Sequence, residues 1–258
     1  MFPVRDENPQ FMTPYVTWAI VAINALAWLT VQRLGSEAAL AHSLCDLGLI
    51  PGEVLGLAKP GTTVPLTSHF ACVVDANADQ LTWLTHMFLH GGWLHLIGNM
   101  WFLWIFGNNV EDSMGHARFV VFYLLCGLAA AGLQVAASPA SPIPMVGASG
   151  AIGGVMGAYV MLYPRVRVHL LLWLGFYVTT VDVPAAFMLF YWLGLQLLGG
   201  ATGMGAEGGG VAVWAHVGGF VAGMLLVLLF RDPQLVARHP FHGWNPRGVP
   251  PGRSGGFQ

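Results

Sequence analysis

Apolar runs long enough to cross a bilayer alternate with short polar breaks along this chain. The clearest lie at residues 15–34, 81–107, 119–137 and 211–230, with a shorter one at 149–163. A membrane-spanning helix needs about 20 mostly apolar residues, so each run predicts a span, the fourth a short one. Residues 168–198 form a further apolar stretch interrupted by one charge, Asp182. Pro184 follows it, and proline is tolerated best in the first helical turn. A fifth helix is therefore predicted from Pro184, which leaves 168–181 as an apolar interfacial segment too short to span. The pattern predicts an all-α polytopic membrane protein built as a six-helix bundle. Arg5, Asp6 and Glu7 precede the first span and no cleavage site follows it, so it reads as an anchor.

Composition agrees. The 258 residues are 55% hydrophobic and 9% charged, where soluble domains carry about 25% charged residues. A net charge of -2 without a basic patch argues against a nucleic-acid partner. With six spans both termini share a side, and that side holds eight of the ten Lys and Arg residues, with only Arg33 and Lys59 opposite. Excess positive charge marks the cytoplasmic face. The expected organisation is a cytoplasmic segment at 1–14, the bundle at 15–231, and a Pro/Gly-rich, disordered cytoplasmic tail at 232–258. Cys45, Cys72 and Cys126 have no zinc-site spacing. Cys45 and Cys72 share the long outer loop 35–80, where a disulfide and free thiols are equally open. The outer loop 199–210 has seven glycines among twelve residues; it reads as a connector or as a mobile lid.

Polar side chains inside spans are expensive and mark function. The second span carries His86, His90, His95 and Asn99, the fourth Ser149, the sixth His216. Ser149 precedes Arg165 by 16 residues, His216 precedes Arg231 by 15, and His95 precedes Asn108 by 13. At a rise of 1.5 Å per residue, all three lie roughly 20–24 Å above the inner boundary. One shared depth suits one site. Gly150, Gly153, Gly154 and Gly157 follow the serine, and Gly219 and Gly223 follow His216 on its own face. Small residues at this spacing let membrane helices approach closely, and Gly157 is expected to touch the sixth helix. Serine becomes a nucleophile when a base, usually histidine, takes its proton, so Ser149 and His216 are predicted to form a dyad. The Ser149 backbone N–H at a helix N-terminus, with His95 and Asn99 at i and i+4, supplies candidate oxyanion donors.

These residues resemble the rhomboid intramembrane serine proteases over about residues 14–230. "GASG" at 147–150 resembles the nucleophile motif, which includes Gly147 and Gly150. "AHVGGFVAG" at 215–223 resembles the base motif, with Gly219 and Gly223. "HMFLHGGWLHLIGNM" at 86–100 resembles the second-span signature, and "GNNVEDSMG" at 107–115 the turn after it, with Glu111 at the acidic position. The resemblance implies six helices, cleavage of transmembrane protein substrates near their outer ends, the lipid bilayer as partner, no cofactor, and a prokaryotic inner membrane as setting. Two positions depart from the pattern. Gly153 stands where many members carry an aromatic residue packed on the base, and loop 35–80 lacks the Trp-Arg pair of many members. Two other readings compete: a helix-binding scaffold without catalysis, and a metal site on His86 and His90, which are spaced i, i+4. The metal reading lacks an acidic partner in that span. His86 and His90 are read instead as hydrogen-bonding braces for the outer loop.

Overall fold

The computed structural model describes residues 2–76, 79–201 and 212–243. Strand β1 (Phe2–Asp6) precedes helix α1 (Tyr15–Thr30). The first long connection holds α2 (Glu37–Leu47), α3 (Pro51–Val54) and a small hairpin of β2 (Thr63–Pro65) and β3 (Ala71–Val73). After the short helix α4 (Thr82–Thr85) come α5 (Trp93–Met114), α6 (His116–Ala137) and α7 (Ser149–Leu162). Strands β4 (Arg167–Leu174) and β5 (Tyr177–Pro184) then lead into α8 (Ala185–Ala201), α9 (Val213–Phe230) and α10 (Pro233–Val236).

The protein is mostly helical, and α7 sits at its centre, packed by α5, α6, α8 and α9. Among the described residues, α6 and α9 are long and apolar enough to cross a membrane, while α1, α7 and most of α8 are shorter apolar helices. Leu94, Trp104, Leu225 and Leu229 are each more than half exposed. So much apolar surface facing outward suits a lipid environment.

The all-α expectation gives way to a mostly helical fold with two small sheets, and two further expectations need correction, the single helix at 81–107 and the disorder of the whole tail. The run at 81–107 is not one helix. The chain leaves helical geometry at Leu89, is extended at Gly92, and the long helix starts at Trp93. Glycine at 91 and 92 removes the side-chain packing that would favour continuing the turn. Residues 168–181 belong to an antiparallel hairpin, with His169 opposite Asp182 and Leu174 opposite Tyr177. The segment 1–14 supplies its third strand, giving the order β1-β4-β5. The tail is ordered as far as Gly243. Asp232 caps α10 by accepting the Gln234 and Leu235 N–H groups, and Val236 and His239 are buried. Residues 244–258 lie outside the described residues.

Two buried acids tie the first segments to α5. Glu111 accepts hydrogen bonds from the Val16 and Thr17 backbone N–H groups at 2.9 and 2.8 Å and from the Thr17 hydroxyl at 2.7 Å. It thereby caps α1 from another helix, satisfying amides that no intrahelical carbonyl can reach. Asp112 does the same for the Phe11 and Met12 N–H groups at 2.7 and 2.8 Å.

Asp6 is the hinge between sheet and bundle. Its carboxylate accepts the Tyr159 hydroxyl at 2.5 Å. Burial, the largest influence, pushes the Asp6 carboxyl up from 3.8 to about 6, against the smaller pull of the Tyr159 bond. A folded-state value above the unfolded one means that the stabilisation is complete below pH 3.8 and is lost as pH rises through about 6. The size of the shift bounds the effect at about 3 kcal/mol. Thermal melting in detergent between pH 4.5 and 7.5 should therefore fall with rising pH, and Asp6→Asn should remove that component. An unchanged slope in the Asn variant would assign the dependence elsewhere.

Candidate active site

The site is built where the segment before α7 is clamped on three sides. Met145 and Leu49 exchange backbone hydrogen bonds at 2.8 and 3.0 Å, and the Gly147 N–H donates to the His86 carbonyl at 2.9 Å. Gly147 has φ +129°, a conformation open to glycine and strained for other residues. A Cβ there would also sit 2.8 Å from the His95 ring. This entry places Ser149 as the first residue of α7.

His216 projects from the first turn of α9. Its Nε2 lies 2.7 Å from Ser149 Oγ. The pair meets because α7 and α9 are in backbone contact. A Cβ on Gly219 would fall 1.8 Å from the Gly150 carbonyl oxygen, one on Gly223 1.9 Å from that of Gly154, and one on Gly157 2.0 Å from that of Phe220. Gly157 thus touches α9 as its spacing suggested. Gly150 and Gly154 behave differently: their missing side chains would point at Ala130 and Cys126 of α6. The glycine ridge therefore serves two neighbours.

A cavity of about 790 Å³ opens beside the pair, lined by Ser149, His216, His95 and Asn99, with Leu40 and Leu44 of α2 among its walls. The disulfide Cys45–Cys72 joins α2 to β3, resolving the alternative left open by the cysteine count. His95 Nδ1 accepts the Gly91 N–H at 3.2 Å, so a neutral ring carries its proton on Nε2. Asn99 is buried, and its Nδ2 has no partner among the described residues. A ring N–H and an amide N–H₂ thus remain available on the cavity wall. Peptide hydrolysis makes an oxyanion that needs such donors.

The His86 and His90 rings are both buried and hydrogen-bond to no side chain among the described residues, the His86 ring reaching only the Trp83 backbone. The bracing runs through backbone instead: Gln32 accepts the His90 N–H at 2.9 Å and donates to its carbonyl at 2.8 Å. The His90 ring packs edge-on against His95, centroids 5.1 Å apart. Among the described residues the one cluster with ligand atoms close enough to share a metal ion is Glu7, His169 and Asp182 on the sheet, not His86 and His90. Residues 199–201 close α8, and the rest of the glycine-rich loop, 202–210, lies outside the described residues.

Two residues in contact with the His216 ring escaped the sequence reading. Gln196 Oε1 of α8 lies 2.9 Å from His216 Nδ1. Trp192 packs on the same ring, centroids 5.6 Å apart at 38°. A side chain at position 153 would be tightly packed, since a Cβ there would lie 3.0 Å from the His216 carbonyl oxygen. The available signal was a single glutamine in an otherwise apolar helix.

Residues 78–233 match the family described as the Rhomboid domain. The chain is 30% identical to RHOMBOID-like protein 5 of Arabidopsis thaliana, over 97% of this chain and 78% of that protein. It is 43% identical to the Rhomboid protease GluP of Bacillus subtilis, over 32% of this chain and 16% of that protein. Against the Rhomboid protease GlpG of Haemophilus influenzae, identity is 23% over 61% of this chain and 73% of that protein. These relatives come from a plant and from bacteria, so they lend no support to a prokaryotic setting over any other.

Proposed function

The chain belongs to the rhomboid family, and we propose that it is an intramembrane serine endopeptidase cleaving transmembrane proteins near the outer ends of their helices. The observation that carries this reading is the 2.7 Å contact between Ser149 Oγ and His216 Nε2 beside a cavity that holds spare donors. In this mechanism Ser149 Oγ attacks the scissile carbonyl while His216 Nε2 takes its proton. The oxyanion forms against His95 Nε2–H, Asn99 Nδ2 and the N-terminus of α7. His216 returns the proton to the leaving amine, and water entering by the cavity hydrolyses the acyl-enzyme. No step calls for a cofactor or a metal ion.

The six-crossing topology with both termini cytoplasmic belongs to the same proposal. It rests on the arginine distribution and on the five apolar helices α1, α6, α7, α8 and α9, with α5 as the sixth crossing. It places Ser149 in the outer half of the bilayer, where water can reach a cavity and irregular backbone is tolerated.

Labelling with a fluorophosphonate probe tests the nucleophile directly. Purified protein should be modified at Ser149, and Ser149→Ala should not be labelled. His216→Ala should label far more slowly, because the hydroxyl has lost its base. Equal labelling of wild type and Ser149→Ala, or none of either, would favour the scaffold reading.

A further inference from the structure

We infer that Gln196 is a positioning residue that sets the protonation geometry of His216 from α8; the inference rests on the protease reading above. An amide oxygen can only accept, so the 2.9 Å contact with Gln196 Oε1 places the imidazole proton on Nδ1. A neutral ring holds one proton. Nε2 is therefore left with its lone pair, and Nε2 is the atom 2.7 Å from Ser149 Oγ. The hydroxyl then donates to the nitrogen, which is the polarity a general base needs. In the opposite tautomer Nε2–H would donate to the serine and nothing could take the hydroxyl proton.

Among the described residues nothing else near the ring performs this task. Besides Ser149, the titratable group facing it is His95 of α5, across the cavity. At this level α6, α7, α8 and α9 carry no acidic or basic side chain except His216 itself. The orienting partner is thus a neutral amide where a three-membered triad uses a carboxylate. A buried amide costs far less to desolvate than a buried, ionised acid, which suits a site among apolar helices. Trp192 lies one turn before Gln196, so both project from one face of α8. Trp192 holds the face of the ring and Gln196 its edge. Together they take up the orienting task that an aromatic residue at position 153 would perform, and that Gly153 does not. Helix α8 therefore carries a part of the base's orientation as well as a wall of the cavity.

The test is a kinetic series in proteoliposomes using a transmembrane reporter, with melting measured on the same preparations. Gln196→Leu keeps the volume and deletes the acceptor. Its kcat should fall about 10–10²-fold, by analogy with the cost of losing the hydrogen-bond partner that orients a metal-bound histidine, with KM and melting nearly unchanged. Gln196→Glu restores an acceptor and adds charge, so activity should return. Its acid limb of kcat against pH should also move to higher pH, because a carboxylate favours the imidazolium. A wild-type kcat in Gln196→Leu overturns the inference. So does a loss of kcat matched by a loss of melting temperature, with the acid limb of Gln196→Glu unmoved. Fluorophosphonate labelling of the wild type separates the two levels. If Ser149 labels and Gln196→Leu behaves as wild type, only the role of Gln196 falls. If Ser149 never labels, the protease reading falls and this inference with it.

Discussion

Ser149→Ala and His216→Ala should each abolish cleavage of a transmembrane reporter, by about 10⁴–10⁶-fold, and the double variant should lose little more than either single one. Residues that act as one unit are not additive. Here the unit is a single proton path, Ser149 Oγ to His216 Nε2 across 2.7 Å. Removing either end leaves nothing for the other to do. His95→Ala and Asn99→Ala should behave differently. Each deletes one of several donors to the oxyanion, which typically costs about 10²–10³ and leaves a measurable rate. EDTA should change none of these rates. The measurement is initial-rate cleavage in proteoliposomes across the five variants, with and without chelator. A Ser149→Ala protein that still cleaves, or single losses that multiply in the double variant, would remove the dyad from the account. Loss on chelation restored by zinc would return attention to His86 and His90.

Gly219→Ala should be strongly damaging to both stability and activity. The new Cβ would lie 1.8 Å from the Gly150 carbonyl oxygen and 2.8 Å from its carbon. Neither neighbour is a flexible side chain that can swing away. Both are helical backbone, so the two helices must separate by more than 1 Å. Overpacking a close contact usually costs about 1–3 kcal/mol, and a backbone clash belongs at or above the upper end. Activity should fall as well. Gly150 follows Ser149 directly, and Gly219 lies one turn beyond His216, so the same contact sets the distance between nucleophile and base. A misplacement of about 1 Å can cost about 10²-fold in rate. Gly132→Ala is the matched control: it lies within α6 and an added Cβ would meet nothing within 4 Å. Melting and kcat should stay at wild-type values there and drop together in Gly219→Ala. A Gly219→Ala protein with wild-type melting and rate would mean that α7 and α9 are not in backbone contact.

Much of this was legible before any coordinates. The starts of α7, α8 and α9 fall within two residues of where the apolar runs and Pro184 put them. A helix boundary is written in residues that lie next to each other, so local pattern suffices. The sheet was not legible for the opposite reason. β1 pairs with β4, Phe2 opposite Leu171, and nothing in five residues at one end announces a partner so distant in sequence. The run 168–181 is apolar at nearly every position, so its period-2 burial, with Val168 and Leu170 buried, is masked.

The candidate site divides in the same way. Residue types and the glycine spacing are properties of single helices, and the chain alone settles them: a serine at a helix start, a histidine one turn into another, small residues beside both. Which nitrogen of His216 faces Ser149 is a different kind of fact. It depends on Gln196 reaching Nδ1 from a third helix, with Trp192 packed on the same ring. The same holds for Gly150 and Gly154, whose four-residue spacing marks a packed face without saying that the partner is α6. Periodicity is set by the geometry of one helix. Contacts are set by how several rigid helices come to rest against one another, and that arrangement alone brings the amide, the imidazole and the hydroxyl into line.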